Sequence, residues 1–377
     1  MRILIRLVAA CLTLVGCGVS VTAGGGATPQ VVTTSDMLAR AIAGGRPGDV
    51  IRVAAGRYGP LSLGKELGGS GLTIEAAVAA APPVFPSITI SGIDHVTLRG
   101  LKVERAAGAE LIDYIVAVAR SQAVTIEKLQ IAAPGEAERG RQYGIFVRDS
   151  RGVRIAGSRL SGTRYGIGLL NDQQIVIERN ELRGLQTDGI RGGGLADVVI
   201  AENVLGEFGP KPKEHPDGIQ IWTANATAPA RRILIRDNLI ARGAGGATQG
   251  IFVRDNKLQL PFEQLEIRGN LVVGSLYHGI TVEGATRPAI TDNEVIAYAD
   301  QKSWIRTVHC TDPQLERNRA SIFLMGTERH DGFGSNRSNR IEGGSAAPRI
   351  RAWLERGPLA NAPATSYAWV LAGSGAS

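Results

Sequence analysis

The chain has 377 residues, a formal net charge of +7 and only 5% aromatic residues. That length ordinarily means two or three globular domains, unless internal repeats lengthen the chain without thickening it. No Lys/Arg block carries interleaved aromatics, which argues against nucleic acid, and once Arg2 and Arg6 are removed with a leader the charge is about +5, which favours an anionic partner.

Residues 1–23 have the order of an export signal: two arginines, an apolar core from Leu7 to Val15, then small residues. Two cleavage sites compete. Leu14-Val15-Gly16-Cys17 has the form of a lipobox, which would leave Cys17 lipidated and give the protein its one membrane anchor. Val21-Thr22-Ala23 has the form of an ordinary signal-peptidase site. Either way the protein is expected to be exported, to the periplasm, the outer membrane or the medium. Cys11 is lost in both cases and Cys17 is lipidated or lost, so Cys310 is left as the lone thiol and no intrachain disulfide is expected. No later apolar run is long enough to cross a membrane. A Gly-rich tether follows over 24–34.

From Ser35, apolar residues at helical spacing through Ala43 predict one short helix, ended by Gly44-Gly45. Pro47-Gly48-Asp49 turns into a strand at Val50–Val53, and Ala55-Gly56-Arg57-Tyr58 closes it. Short alternating strands follow at Leu72–Glu75, Ser87–Ile90, His95–Val103 and Ala123–Ile126. From residue 140 a Gly-Ile pair repeats, with glycines at 144, 166, 189, 218, 250 and 279. A second marker runs in step: an apolar-x-apolar strand followed by Asn at 180, 203, 238, 270 and 293. Asn tolerates left-handed dihedrals at a tight corner, and its amide can bond the next coil's Asn.

Units this short cannot bury an apolar side alone, so they are expected to stack with parallel pairing at about 4.8 Å around one continuous core. The expected fold is all-β: a single-domain parallel β-helix over 35–325, with a short N-terminal capping helix. A C-terminal cap and tail follow over 326–377, with a second short helix at 347–356. The helix, the Pro-Gly-Asp turn and the Ala-Gly-Arg-Tyr closure resemble the start of right-handed parallel β-helix proteins of the pectate-lyase-like superfamily.

Aligning the coils on Gly-Ile stacks residues of equal offset. Before the glycine stand Tyr143, Tyr165, Asp188, Asp217, Gln249 and His278; after the isoleucine stand Phe146, Gly168, Arg191, Gln220, Phe252 and Thr281. Two places further on come Arg148, Leu170, Gly193, Trp222, Arg254 and Glu283. Columns this mixed are expected to face solvent as a saccharide groove, whereas Val147, Leu169, Ile221, Val253 and Val282 make an inner column. Three consecutive coils carry insertions, at 206–215, 223–230 and 256–263, where a solenoid often builds its binding face.

Asp188 and Asp217 fall on adjacent coils, where two carboxylates repel unless one is protonated or a cation lies near. They could bind Ca²⁺, serve as acid and base of a glycosidase, or position Arg191. An Asp before Gly is also an ordinary turn residue that caps backbone amides. The loop Lys211-Pro212-Lys213-Glu214-His215 adds cations beside them. Cleavage of a uronate by β-elimination needs a positive group for the carboxylate, a base for the proton alpha to it and an acid for the leaving oxygen. Arg191, Lys211, Lys213 or Arg254 fits the first need and His215 or a lysine the second. Gln220, Trp222, Arg254 and His278 are expected to hold sugar, with Trp222 either a stacking platform or a packed residue.

The steps Thr187-Asp188-Gly189-Ile190, His215-Pro216-Asp217-Gly218-Ile219 and Tyr277-His278-Gly279-Ile280 are similar to Asp-Gly and His-Gly steps on the catalytic sheet of polysaccharide-active β-helix enzymes. Polygalacturonase-like hydrolases carry Asn-Thr-Asp-Gly, an Asp pair and Gly-His-Gly. Here the chain reads Gln-Thr-Asp-Gly and Tyr-His-Gly, with no Asp-Asp pair and no Asp-Pro-His step of alginate C5-epimerases. The resemblance does not single out one catalytic family; with the cationic loop beside the aspartates, the expected activity is lyase cleavage of an acidic polysaccharide. Glycoside hydrolysis by Asp188 and Asp217 and non-catalytic carbohydrate binding are the alternatives.

Overall fold

The structure, a computed structural model, describes residues 31–373 apart from 106–107, 109, 111, 134–141, 301, 331–333, 340–345 and 362–366. The expected export signal, Cys17 and the tether up to residue 30 lie outside the described residues. Each full coil gives one strand to each of three parallel sheets. The first sheet runs from Val31–Val32 to Gln314–Glu316. The second runs from Val84–Phe85 to Arg337–Ser338, and the third from Leu61–Gly64 to Ile322–Met325, closed by the antiparallel strand Glu328–Arg329. Val31–Val32, at the end of the segment expected as tether, pairs with Arg52–Val53.

Alternation sends every second side chain inward. Ile145, Ile167, Ile190, Ile219, Ile251 and Ile280 pair in register from coil to coil and are fully buried. The Val147, Leu169, Ile221, Val253 and Val282 column is buried beside them, so one apolar core runs from Val32 to Phe323. Helix α1 (Ser35–Gly44) starts at Thr34, whose hydroxyl accepts from the Met37 amide at 3.2 Å, and buries Leu38 and Ile42 at the open end of the core.

The asparagine marker is an internal ladder at the corner between the first and second sheets. Asn180, Asn203, Asn238, Asn270, Asn293 and Asn318 each donate from the side-chain amide to the Oδ1 of the next rung, ending at Asn336, at 2.9–3.0 Å. The left-handed residue is not the asparagine, as expected from the sequence, but the one before it. Arg179, Glu202, Asp237, Asp292 and Arg317 have φ of 54–58°. The physical reason is that the asparagine must point inward to reach its neighbours, so the corner is turned one residue earlier, at a cost of roughly 1–2 kcal/mol per non-glycine residue.

The C-terminal helices α2 (Ala347–Arg356) and α3 (Ala368–Gly373) do not plug the far end of the coil. They lie along the outside of the second sheet, where Ile350, Leu354, Trp369 and Val370 pack on Val204, Leu239, Leu271 and Ile296. In the column of Val204, Leu239 and Leu271 the outward positions are apolar, whereas neighbouring coils place Arg159, Glu181, Glu294 and Arg319 at the same offset. Among the described residues no helix is long and apolar enough to cross a membrane.

Candidate functional site

Six strands of the third sheet carry the aligned columns: Tyr143–Arg148, Tyr165–Leu170, Ile190–Gly193, Asp217–Trp222, Gln249–Arg254 and His278–Glu283. The three insertions border this sheet on both edges. The one before Asp217 enters it, while those after Trp222 and Arg254 leave it, so the insertions stand on both sides of the sheet.

Asp188 and Asp217 do sit on adjacent coils, but they are covered, at 7% and 3% exposure, and do not face solvent as the column pattern suggested. The cover is Arg191, Trp222 and Gln220. Arg191 forms an ion pair with Asp188 at 3.1 Å, and its guanidinium lies 4.6 Å from the Tyr165 ring centre and 4.9 Å from that of Trp222. A guanidinium between two rings gains cation–π attraction on both faces, about 0.5–2 kcal/mol each. Trp222 itself rests over Gly193 of the preceding coil, where a Cβ would come within 2.6 Å of the indole nitrogen. The platform expected to stack sugar is thus spent, on one face, in holding Arg191. Next along the coil axis, the Tyr143 and Tyr165 rings stack at 4.5 Å.

The two carboxyls are not equivalent. One oxygen of Asp188 accepts the Asp217 amide at 3.0 Å, the backbone-capping role open to an Asp-Gly step, and the other meets Arg191. Burial raises its pKa, opposed by Arg191, the Asp217 amide, His215 and Arg164. Asp217 Oδ2 accepts from Gln220 at 2.6 Å, while its Oδ1 is buried without a partner. Burial, and then the Asp188 charge, push Asp217 well above the usual carboxylate range, with Arg191 pulling the other way. Of the pair, Asp217 is the one pushed further toward its protonated form.

The loop before Asp217 exposes Lys211, Lys213 and His215. Glu214 turns inward to Arg164 and Gln186, and His215 is near enough to act electrostatically on both Asp188 and His278. On the other side of Asp217, Gln249 Oε1 accepts the amides of Tyr277 and His278 at 3.1 and 2.7 Å. His278 stacks on Phe252 at 4.7 Å and shares its Nδ1 with Thr281 at 2.8 Å. Burial, reinforced by the charges of Arg306, His215 and Arg254, lowers its pKa to about 4, so it is neutral near pH 7. Arg254 is exposed and forms an ion pair with Glu283 at 3.0 Å.

The structure therefore brings together Asp188, Arg191, His215, Asp217, Gln220 and Trp222. Lys211, Lys213, Arg254 and His278 stand around that centre. Residues the sequence did not single out are Arg164, Gln186 and Glu214, because the insertion breaks the column alignment at their offset. The pair does not fit Ca²⁺. An ion of that size takes 6–8 oxygens, whereas Asp188 is already matched by a guanidinium and no three His, Cys, Asp or Glu side chains converge among the described residues. A cavity of about 720 Å³ under Leu359 and Tyr367, on the second-sheet flank, is a weaker candidate: its two arginines are already matched, Arg159 to Glu181 and Arg179 to Glu202.

Comparison with known proteins agrees with this architecture. The profile of the right handed beta helix region matches residues 114–295. No curated protein sequence matches the chain. Among solved structures, the Dettilon tailspike protein superposes with a TM-score of 0.51 at 13% identity, covering 77% of this chain and 58% of the tailspike. An alginate lyase from Paenibacillus sp. str. FPU-7 gives 0.44 at 15% identity over 81% of this chain and 99% of the lyase. A double mutant of the periplasmic alginate epimerase AlgG gives 0.49 at 16%, over 83% and 73%. Likeness at these identities speaks to fold alone. With three stacked parallel sheets, an asparagine ladder and the matched profile together, the chain has the fold of a right-handed parallel β-helix, and its residues 114–295 match the model of that region.

Proposed function

We propose that this chain is an exported enzyme that binds an acidic polysaccharide along the third sheet and cleaves it by β-elimination. The observation that carries the reading is the loop 209–216. It exposes three basic side chains, Lys211, Lys213 and His215, of which His215 is near enough to act electrostatically on Asp188. Here Arg191, held flat between Tyr165 and Trp222, offers its remaining N–H groups to the uronate carboxylate, with Arg254 on the next coil but one. His215 takes the proton alpha to that carboxylate. The freed electron pair forms the ring double bond, the bond to the leaving oxygen breaks, and Lys213 donates the proton that oxygen needs. Gln220 and His278 hold neighbouring sugars.

A second reading, glycoside hydrolysis, is favoured by one observation. Burial and the Asp188 charge raise Asp217 further than burial raises Asp188, the direction that would suit an acid beside a base or nucleophile. Their burial counts against it, since sugar would have to displace Trp222 or Arg191 first.

Purified protein is incubated with acidic and neutral polysaccharides while ultraviolet absorbance and reducing ends are followed together. The elimination predicts both signals on a uronate polymer, a loss of about 100-fold or more in His215→Ala, and a smaller loss in Asp217→Asn. Reducing ends without absorbance, abolished by Asp217→Asn, would replace it with hydrolysis. Neither signal on any polymer would leave a carbohydrate-binding solenoid.

A further inference from the structure

Glu214 lies between the two lysines' loop and the body of the coil, and its contacts reach further than any other side chain of that loop. Oε1 accepts from Arg164 at 2.9 Å and from Gln186 at 3.0 Å; Oε2 accepts from Gln186 at 2.8 Å and from the Lys211 amide at 2.9 Å. Arg164 and Gln186 belong to the two coils preceding Asp217. Gln186 is almost wholly buried, and the Arg164 guanidinium is itself steadied against the Tyr165 ring at 5.4 Å. These donors hold Glu214 below the ordinary carboxylate range against the opposing effect of its burial.

The loop is tied equally firmly just past His215. The Pro216 carbonyl accepts the Gln249 amide at 2.7 Å and the Thr248 hydroxyl at 2.9 Å, both from the following coil. His215 is the single residue between these two ties. It is exposed, yet both neighbours of its backbone are fixed, one to the coils behind and one to the coil ahead. Lys213 takes a left-handed φ of 74° to turn Glu214 inward while its own side chain stays in solvent. The loop 209–216 would otherwise lose considerable entropy on holding one geometry, of order 1 kcal/mol per residue.

We propose that Glu214 is the positioning residue of the site: by clamping the cationic loop to the coils of Arg164 and Gln186, it holds His215 in place beside Asp188. The role in turnover rests on the elimination reading above; the clamp itself does not. A charge-assisted contact to Arg164 and the bonds from Gln186 are lost in Glu214→Ala, which frees the loop on one side only. Glu214→Gln keeps an acceptor for Arg164 or the Lys211 amide and is the conservative counterpart.

Two measurements on the full-length protein test it. Trypsin cuts after lysine except before proline, so Lys211-Pro212 is silent and Lys213-Glu214 reports the loop. Wild type is expected to resist cleavage there, Glu214→Ala to be cut, and Glu214→Gln to fall between. On a uronate polymer, Glu214→Ala is expected to lower kcat by about 100-fold, the size of effect that a misplacement near 1 Å produces, with KM changed far less. Partial rescue of kcat is expected in Glu214→Gln. Resistance after Lys213 that persists in Glu214→Ala would overturn the clamp, and wild-type kcat in that variant would overturn its role in turnover. If wild type turns over no polymer, the elimination reading fails by itself, and the proteolysis result still decides the clamp.

Discussion

Asp217 and His278 stand two coils apart on the same sheet, and burial drives their titrations in opposite senses. Asp217 keeps its proton to a higher pH when folded than when unfolded, so the native state binds more protons in between and stability falls as pH rises through the folded pKa. His278 is the reverse. Its pKa drops from 6.5 to about 4, so the unfolded chain takes the proton first and stability is lost as pH falls across that window. A gap of that size is worth at most about 3 kcal/mol. Urea unfolding of His278→Gln at both ends of the window should show a pH dependence flatter by up to that amount, and Asp217→Asn should gain on wild type as pH rises. Parallel curves for wild type and either variant would contradict the assignment for that residue. That Asp188 and Asp217 are neighbours, and that His215 is exposed, were legible from the Gly-Ile register. Their cover was not, because it depends on Arg191 settling between two rings and on Gly193 leaving a notch for Trp222, contacts between side chains at unequal offsets.

Among elements, the asparagine corner shows how local choice and stacking support each other. Asn238 is fully buried. It donates to Ile200 O and Asn270 Oδ1 at 2.9 Å each and accepts the Asn203 backbone and side-chain amides at 3.0 and 2.9 Å. Alanine there leaves polar groups on both neighbouring coils unmatched in the core, and each such group costs about 1–3 kcal/mol. Asn238→Ala should therefore lose at least about 3 kcal/mol in denaturant unfolding, and a loss under about 1 kcal/mol would show that the ladder relaxes around a missing rung. The Asn repeat was visible in the sequence, as was its amide-to-amide bonding. The residue that turns the corner was not, since arginine, glutamate, aspartate and, before Asn270, glycine all occupy it. The C-terminal helix was also visible at its own positions, but its berth was hidden in the second sheet's outward column, outside the Gly-Ile register.

For the whole molecule, stacking makes stability a sum of coil and neighbour terms, and each exposed face must be kept soluble along its full length. The first sheet does this with alternating charge. Arg52, Glu75, Arg99, Glu127, Arg154 and Glu178 form consecutive ion pairs at 2.6–3.1 Å up its outer face. The third sheet presents the mixed columns of the candidate site. The second sheet is polar on its early coils and apolar at Val204, Leu239, Leu271 and Ile296, which α2 and α3 cover. Arg349 bonded to Glu294, and Arg183 over the Trp369 ring at 5.2 Å, fix the rim of that cover. Because the inner core lies within the coils and not between coil and helices, removing 346–377 should leave the solenoid folded but strip its flank. The expected outcome is an unchanged far-ultraviolet strand signal, new binding of a hydrophobic dye and self-association in light scattering, since contiguous exposed apolar patches drive association. Adding Leu239→Lys and Leu271→Lys to the truncated chain should restore a monomer without restoring any contact, which separates covering a surface from building the core. A truncated chain that loses its strand signal would instead make the helices part of the fold's own stability.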